Sequence, residues 1–407
     1  MKRRIIRFLS IIMAVAMLIS VAAAADRSPQ TVLDETMQQL AASVPAPEFG
    51  TTAGEWTVLC LARGGYYGTD SEYFSDYYSR IEKTVAATAA NVNLDGKLHK
   101  VKSTENSRLI IALSSIGRNA KNVAGIDLVA PLDDFNWLIK QGINGPIFAL
   151  IALDSAGYDS KVRQQCVDYI LSKQLSDGGW ALSGSVADPD MTAMALQALV
   201  NYRSNSAVES AAERGFNCLS SIQQENGGYS SWGSVNSESI AQVIVACTAW
   251  GINPNTDNRF IKNASAVDAL MEFYVEEGRG FAHVLESTDG YYGGEVNGMA
   301  TDQACYALVS YIRFLNGQTS LYNMSDVSPD TENNTSTEDD KQKDPAVTEA
   351  PNPSVSMDKS ADEEKNYDVN GDGVINAQDA VNSLNDGDVA FAEEIVMWFV
   401  NGSVAQK

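Results

Sequence analysis

The stretch from Asp368 to Asp379 carries oxygen-bearing residues at positions 1, 3, 5, 9 and 12 of a twelve-residue loop. They are Asp368, Asn370, Asp372, Asn376 and Asp379; Gly373 falls at the tight turn and Ile375 is apolar at position 8. A hard cation needs six to eight oxygens around one point, and this spacing wraps them there, so calcium is the expected ligand. A second acidic constellation lies far upstream. Asp188 and Asp190 stand immediately before the apolar run from Met191 to Leu196. A carboxyl in such a place either caps the following helix or, if burial and neighbours hold its proton, acts as a general acid. Thr192, Asn236, Glu238 and Asp302 sit at or near the starts of comparable segments and are expected to share one rim with Asp188 and Asp190 as ligand-facing groups.

Six small-residue-rich apolar segments must position that rim. They are Trp56–Gly64, Arg108–Gly117, Ile147–Gly157, Thr192–Tyr202, Ile240–Gly251 and Thr301–Phe314. Aligned on Ala112, Ala152, Ala198, Ala246 and Ala307, they recur at steps of 40, 46, 48 and 61 residues. Amphipathic segments such as Ser75–Ala90, Lys161–Gln174, Ala207–Gln223 and Ser265–Glu277 alternate with them, without convincing strand periodicity. This period predicts repeated helical hairpins, small helices inside and amphipathic ones outside. Six hairpins can close into a ring, and the ring is expected to enclose an apolar lumen.

Composition bounds the rest. Residues 1–25 combine Lys2, Arg3, Arg4 and Arg7, an apolar stretch from Phe8 to Val21, and the small residues Ala22–Ala25. They predict a cleaved secretory signal, and hence a secreted or cell-surface protein with no membrane span in the mature chain. Removing those four basic residues, with no acid among the 25, takes the formal charge from -23 to -27. A nucleic-acid partner needs a basic face and is not expected. Cys60, Cys166, Cys218, Cys247 and Cys305 show no metal-ligand spacing, and Cys60, Cys218, Cys247 and Cys305, in apolar helical context, are expected to be small buried hydrophobes. Residues 325–365 are Pro, Ser, Thr and acid with almost no aliphatic content, which predicts a disordered linker. An apolar module follows at 366–407.

Two resemblances give these patterns names. The calcium loop, with Asp379 at position 12, resembles a type I dockerin repeat, similar in spacing to an EF-hand loop. That likeness implies a calcium-dependent module docking on a cohesin-type scaffold protein, with Asp368, Asn370, Asp372, Asn376, Asp379 and the Val374 carbonyl as ligands and Ala377 and Gln378 at the reading positions. A second repeat is legible only as Asn382–Glu393, with Leu384 at a ligand position. Upstream, Gln174–Trp180 and Gln223–Tyr229 both run from Gln to Gly-Gly-aromatic, with looser versions at Gly64–Tyr66 and Gly278–Phe281. These resemble the repeats of squalene-hopene cyclases and prenyltransferase-like toroids, which implies an all-α, six-hairpin α/α toroid over residues 28–322. The Asp188–Ala193 segment is similar to the acid motif of class II terpenoid cyclases, with Met191 in place of its third aspartate, which implies Asp190 as the proton donor and Asp188 as its neighbour.

Related activities are narrowed by what is missing. Zinc-dependent prenyl transfer needs a Cys beside His283 in its motif, so zinc is not expected. The thioester run of complement-like proteins is absent. Intrinsic-factor-type cobalamin carriers share a segment similar to Asp190–Ala195 but add a β domain not expected here. The expectation is therefore a secreted toroid that binds a ligand or partner and is tethered by calcium to a polysaccharide-degrading, cellulosome-like assembly. The alternative is an enzyme: a carbohydrate-active toroid using acids among Asp188, Asp190, Glu238, Glu295 and Asp302, or a cyclase-like protein using Asp190. Tyr66, Tyr67, Trp232, Tyr291 and Tyr292 would then be candidates to stack on sugar rings.

Overall fold

The computed structural model describes residues 27–50, 52–90, 94–287 and 293–328. The leader, nearly all of the linker, the calcium loop with its module, and Tyr291 and Tyr292 lie outside the described residues. Helices alternate between two layers. The outer set is α1 (Pro29–Ser43), α3 (Glu72–Ala89), α5 (Phe135–Leu138), α7 (Arg163–Ser172), α9 (Ser206–Ile222) and α11 (Ala266–Met271). The inner set is α2 (Glu55–Arg63), α4 (Ser103–Ser115), α6 (Asn144–Ser155), α8 (Pro189–Leu199), α10 (Ser237–Ala249) and α12 (Gly298–Leu315). Each inner helix packs on the next in chain order, and α12 packs back on α2. The ring is therefore closed: an α/α toroid of six hairpins.

Burial explains the composition of the inner helices. Every residue of α4 is buried, and α6 is buried at all but one position and nearly uniform in hydropathy around its axis. Helices touched on all sides have no polar face. The outer helices bury one stripe each, as α9 does with Val208, Ala211, Ala212, Gly215, Phe216, Cys218 and Leu219. Inner helices begin earlier than their apolar runs: α4 starts at Ser103, not Arg108, because the polar residues of its first turn are buried as well. The outer segment expected over Ser265–Glu277 is helical only to Met271. Tyr274–Val275 (β3) then pairs antiparallel with Gly280–Phe281 (β4), and Ser230–Ser231 (β1) pairs with Ser234–Val235 (β2). Strands of two residues are too short to leave an alternating pattern.

The lumen expected to be apolar instead carries a network of polar side chains. Gln197 on α8 donates to Gln242 on α10, and Gln242 donates to both Gln303 and Tyr306 on α12. Trp56, Phe148 and Tyr306 pack beside this network with ring centroids 5.8–6.2 Å apart. The C-terminal ends of the inner helices are crossed by a strap, residues 319–326. Arg63 donates to Leu321 O, Ser320 O, Asn323 O, Thr319 and Asp326, while Arg313 holds Thr319 and Asp326 from α12. The strap thus runs past Ser325, the residue at which the linker is expected to begin. Grooves of about 510 and 520 Å³ flank it on that face.

Candidate acid rim

The starts of α8, α10 and α12 are built on one device. The aromatic residues Trp180, Tyr229 and Phe281, each ending a glycine-containing turn, are buried completely. Their carbonyls accept the backbone N–H of Asp188, Asn236 and Asn297, the three N-caps. Each cap side chain accepts a backbone N–H three residues on: Asp188 from Met191, Asn236 from Ser239 and Asn297 from Ala300, at 2.8–3.0 Å. The turns are pinned from outside by glutamine. Gln174 Nε2 donates to Gly178 O and Ala211 O, and Gln223 Nε2 donates to Gly227 O and Phe260 O. Gly227 has φ +82°, and a Cβ there would lie 2.4 Å from Ser265 O, so the turn admits only glycine.

This geometry separates two roles that the sequence leaves together. Asp188 is the cap, and Ser231 on β1 donates to its second carboxyl oxygen. Asp190 is not needed for capping. Two residues past its cap, it occupies the position that Glu238 holds on α10. Asp190 Oδ1 and Ser239 Oγ are both buried without a hydrogen bond of ordinary geometry, although the Ser239 hydroxyl lies close enough to favour the carboxylate against burial. Burial, reinforced by the negative charge of Asp188, pushes the Asp190 carboxyl well above the usual range. Burial also raises Asp188, against the hydrogen bonds from Ser231 and Met191. Both shifts run toward the protonated acid.

Glu238 stands in the same field and is held by His283, whose Nδ1 lies 2.8 and 2.9 Å from the two carboxylate oxygens. His283 was not singled out for the rim by sequence; it lies 45 residues from its partner, and no spacing marks the pair. Other rim residues separate from the acid group. Thr192 accepts Trp180 N at 2.9 Å and donates to Trp180 O, so it locks the turn. Asn236 caps α10. Asp302 is buried on α12 and accepts from Thr57 across the ring seam at 2.8 Å; burial lifts its pKa to about 7. Glu295 is exposed on the loop before α12. Among the described residues, no group of three or more His, Cys, Asp or Glu side chains is arranged to hold a metal ion.

The loops around the acids carry exposed apolar side chains. Val186, Leu285 and Val296 lie on the turns ahead of α8 and α12. Trp232 is the prominent case: it is 60% exposed at the tip of the β1–β2 hairpin, adjacent to Ser231. Its φ of +53°, followed by +92° at Gly233, gives the two left-handed residues of a tight hairpin turn. A bulky residue in that region carries strain of about 1–3 kcal/mol. Tyr66 is exposed at the other end of α2, and Tyr67 is packed on Tyr73 and Phe74.

No family model matches this chain, and no curated protein matches it. Among solved structures it is similar to the unsaturated glucuronyl hydrolase of Bacillus sp. GL1, responsible for glycosaminoglycan degradation. The identity is 13% and the TM-score 0.48, over 73% of this chain and 100% of that one. A second similar structure pairs a variant of a protein abbreviated UGL with dGlcA-Glc-Rha-Glc, at the same identity and TM-score, over 73% and 99% of the two chains. The toroid described above stands on this chain's own ring of helix contacts.

Proposed function

We propose that the rim formed by α8, α10 and their preceding turns is a carbohydrate-hydrolysing site. The observation that carries the reading is Asp190: a half-buried residue whose Oδ1 is buried without a hydrogen bond of ordinary geometry, raised in pKa, and relieved of capping duty by Asp188. Glycoside hydrolysis needs a carboxylic acid that protonates the leaving oxygen and a second carboxylate that acts on the sugar from the other side. Asp190 takes the first role. Glu238, oriented by His283, takes the second, and Ser231 keeps Asp188 oriented as the cap. Trp232 supplies an aromatic face on which a sugar ring can stack.

The test is release of reducing ends from oligosaccharides by the intact protein, together with Trp232→Ala. Losing a stacking face of about 1.4 kcal/mol raises KM about tenfold and leaves kcat nearly unchanged. If no oligosaccharide is bound or cleaved by well-folded protein, the reading is wrong.

The proposal includes a tether. The loop of Asp368, Asn370, Asp372, Val374, Asn376 and Asp379, outside the described residues, would bind calcium and attach the toroid to a cohesin-type scaffold in a polysaccharide-degrading assembly. Calorimetric titration of the whole chain should show calcium uptake that Asp368→Ala with Asp372→Ala removes. Uptake that survives the double substitution would place the ion elsewhere and retire the tether.

A further inference from the structure

All five cysteines are buried and unbridged. Three stand apart, on α7 (Cys166), α9 (Cys218) and α10 (Cys247). The other two meet at the seam where the ring closes. Cys60 on α2 and Cys305 on α12 are 245 residues apart in sequence, yet both are fully buried at the junction of the first and last inner helices. The Cys60 thiol donates to Asp302 O at 3.2 Å, one helical turn before Cys305, whose thiol is near enough to raise the Cys60 pKa. The seam is tight on either side of the pair: Thr57 bonds Asp302 above it, and Gly64 packs at Val309 below it.

We propose that Cys60 and Cys305 are a disulfide-forming pair that covalently closes the toroid. This goes beyond the carbohydrate reading and does not depend on it. In the step, one thiolate attacks a low-molecular-weight disulfide such as oxidised glutathione, forming a mixed disulfide and releasing one small thiol. The second cysteine thiolate then displaces the other small thiol. Two protein protons are lost, and the two electrons leave with the reduced small thiols. Burial, followed by the neighbouring Cys305, pushes the Cys60 thiol well above its ordinary pKa, so exchange in the closed ring is slow. The bond therefore forms as the ring assembles, and either redox state persists once the seam is shut.

The experiment refolds the intact wild-type chain in a mixture of reduced and oxidised glutathione, then alkylates it under denaturing conditions and digests it without reductant. The expected result is one cross-linked peptide pair containing Cys60 and Cys305, with alkyl label on Cys166, Cys218 and Cys247. Cross-linking a loop this long raises Tm by roughly 5–10 °C over the reduced form. In the Cys60→Ala, Cys305→Ala double variant, reductant should leave Tm unchanged. Label on all five cysteines, or scrambled pairs in place of the one, overturns the proposal; because the mapping uses wild-type protein, a poorly folding variant cannot blur it.

Discussion

Asp190→Asn is expected to lower kcat on an oligosaccharide substrate by about 10²–10⁴-fold while leaving the toroid folded. Asparagine has nearly the shape of a protonated carboxyl but cannot donate an acidic proton, so it removes the chemistry and keeps the packing. The accompanying stability change has a definite sign. A carboxyl whose folded pKa is raised contributes stability that is fully present below its unfolded pKa of about 4 and is lost as pH rises through the folded value. Asp190 is raised by burial and by Asp188, so at neutral pH the wild type bears a cost that the amide does not. Asp190→Asn should therefore match or exceed the wild-type Tm at pH 7. Asp302 behaves alike: with its pKa raised to about 7, its stabilisation fades between about pH 4 and 7, and Asp302→Asn should flatten that part of the Tm curve. Asp188→Ala should instead lose about 1 kcal/mol, as a cap does. Unchanged kcat in Asp190→Asn would rule out the acid role, and a Tm loss of cap size would show that Asp190 supports the helix start after all.

The architecture was readable because its signals are local. Gln174 and Trp180 lie within one turn of chain, and so do Gln223 and Tyr229; each set builds its own junction, so the repeat survives as a pattern. The acid rim was half readable. Asp188 and Asp190 were visible as a pair, but their division into cap and raised acid depends on Ser231 and Ser239 from the next hairpin, which no spacing reveals. The polar network of the lumen was not readable, since glutamines on three inner helices look like ordinary polar interruptions until the ring brings Gln197, Gln242 and Gln303 together. The nearness of Cys60 and Cys305 is hidden for the same reason: their helices meet only through ring closure.

The largest expected loss of stability comes from a site the sequence did not mark at all. Arg108 on α4 is 2% exposed and bridges two glutamates: Nε reaches Glu55 on α2 at 2.8 Å, and Nη2 pairs with Glu105 one turn earlier. Glu55 is fully buried and also receives Gly50 N and the Tyr77 hydroxyl, which ties the first two hairpins to one carboxylate. Burial alone would pull the guanidinium down, but the two glutamate charges outweigh it and raise Arg108. Arg108→Met fills much of the same volume and leaves the carboxylates buried without their cation, which costs about 3–5 kcal/mol. The sign with pH follows from Glu55, which burial already raises despite the arginine. Without Arg108 its folded pKa climbs further, so the variant is nearest the wild type in acid and falls away from it as pH rises. Adding Glu55→Gln and Glu105→Gln to Arg108→Met removes the stranded charges and should recover most of the loss, since a neutral core at such a site rivals the ion pairs it replaces. Urea denaturation of the three proteins, wild type included, at two pH values separates these outcomes. A loss that is independent of pH and is not recovered by the glutamines would make Arg108 a packing residue, and the joint between the first two hairpins would then rest on shape rather than charge.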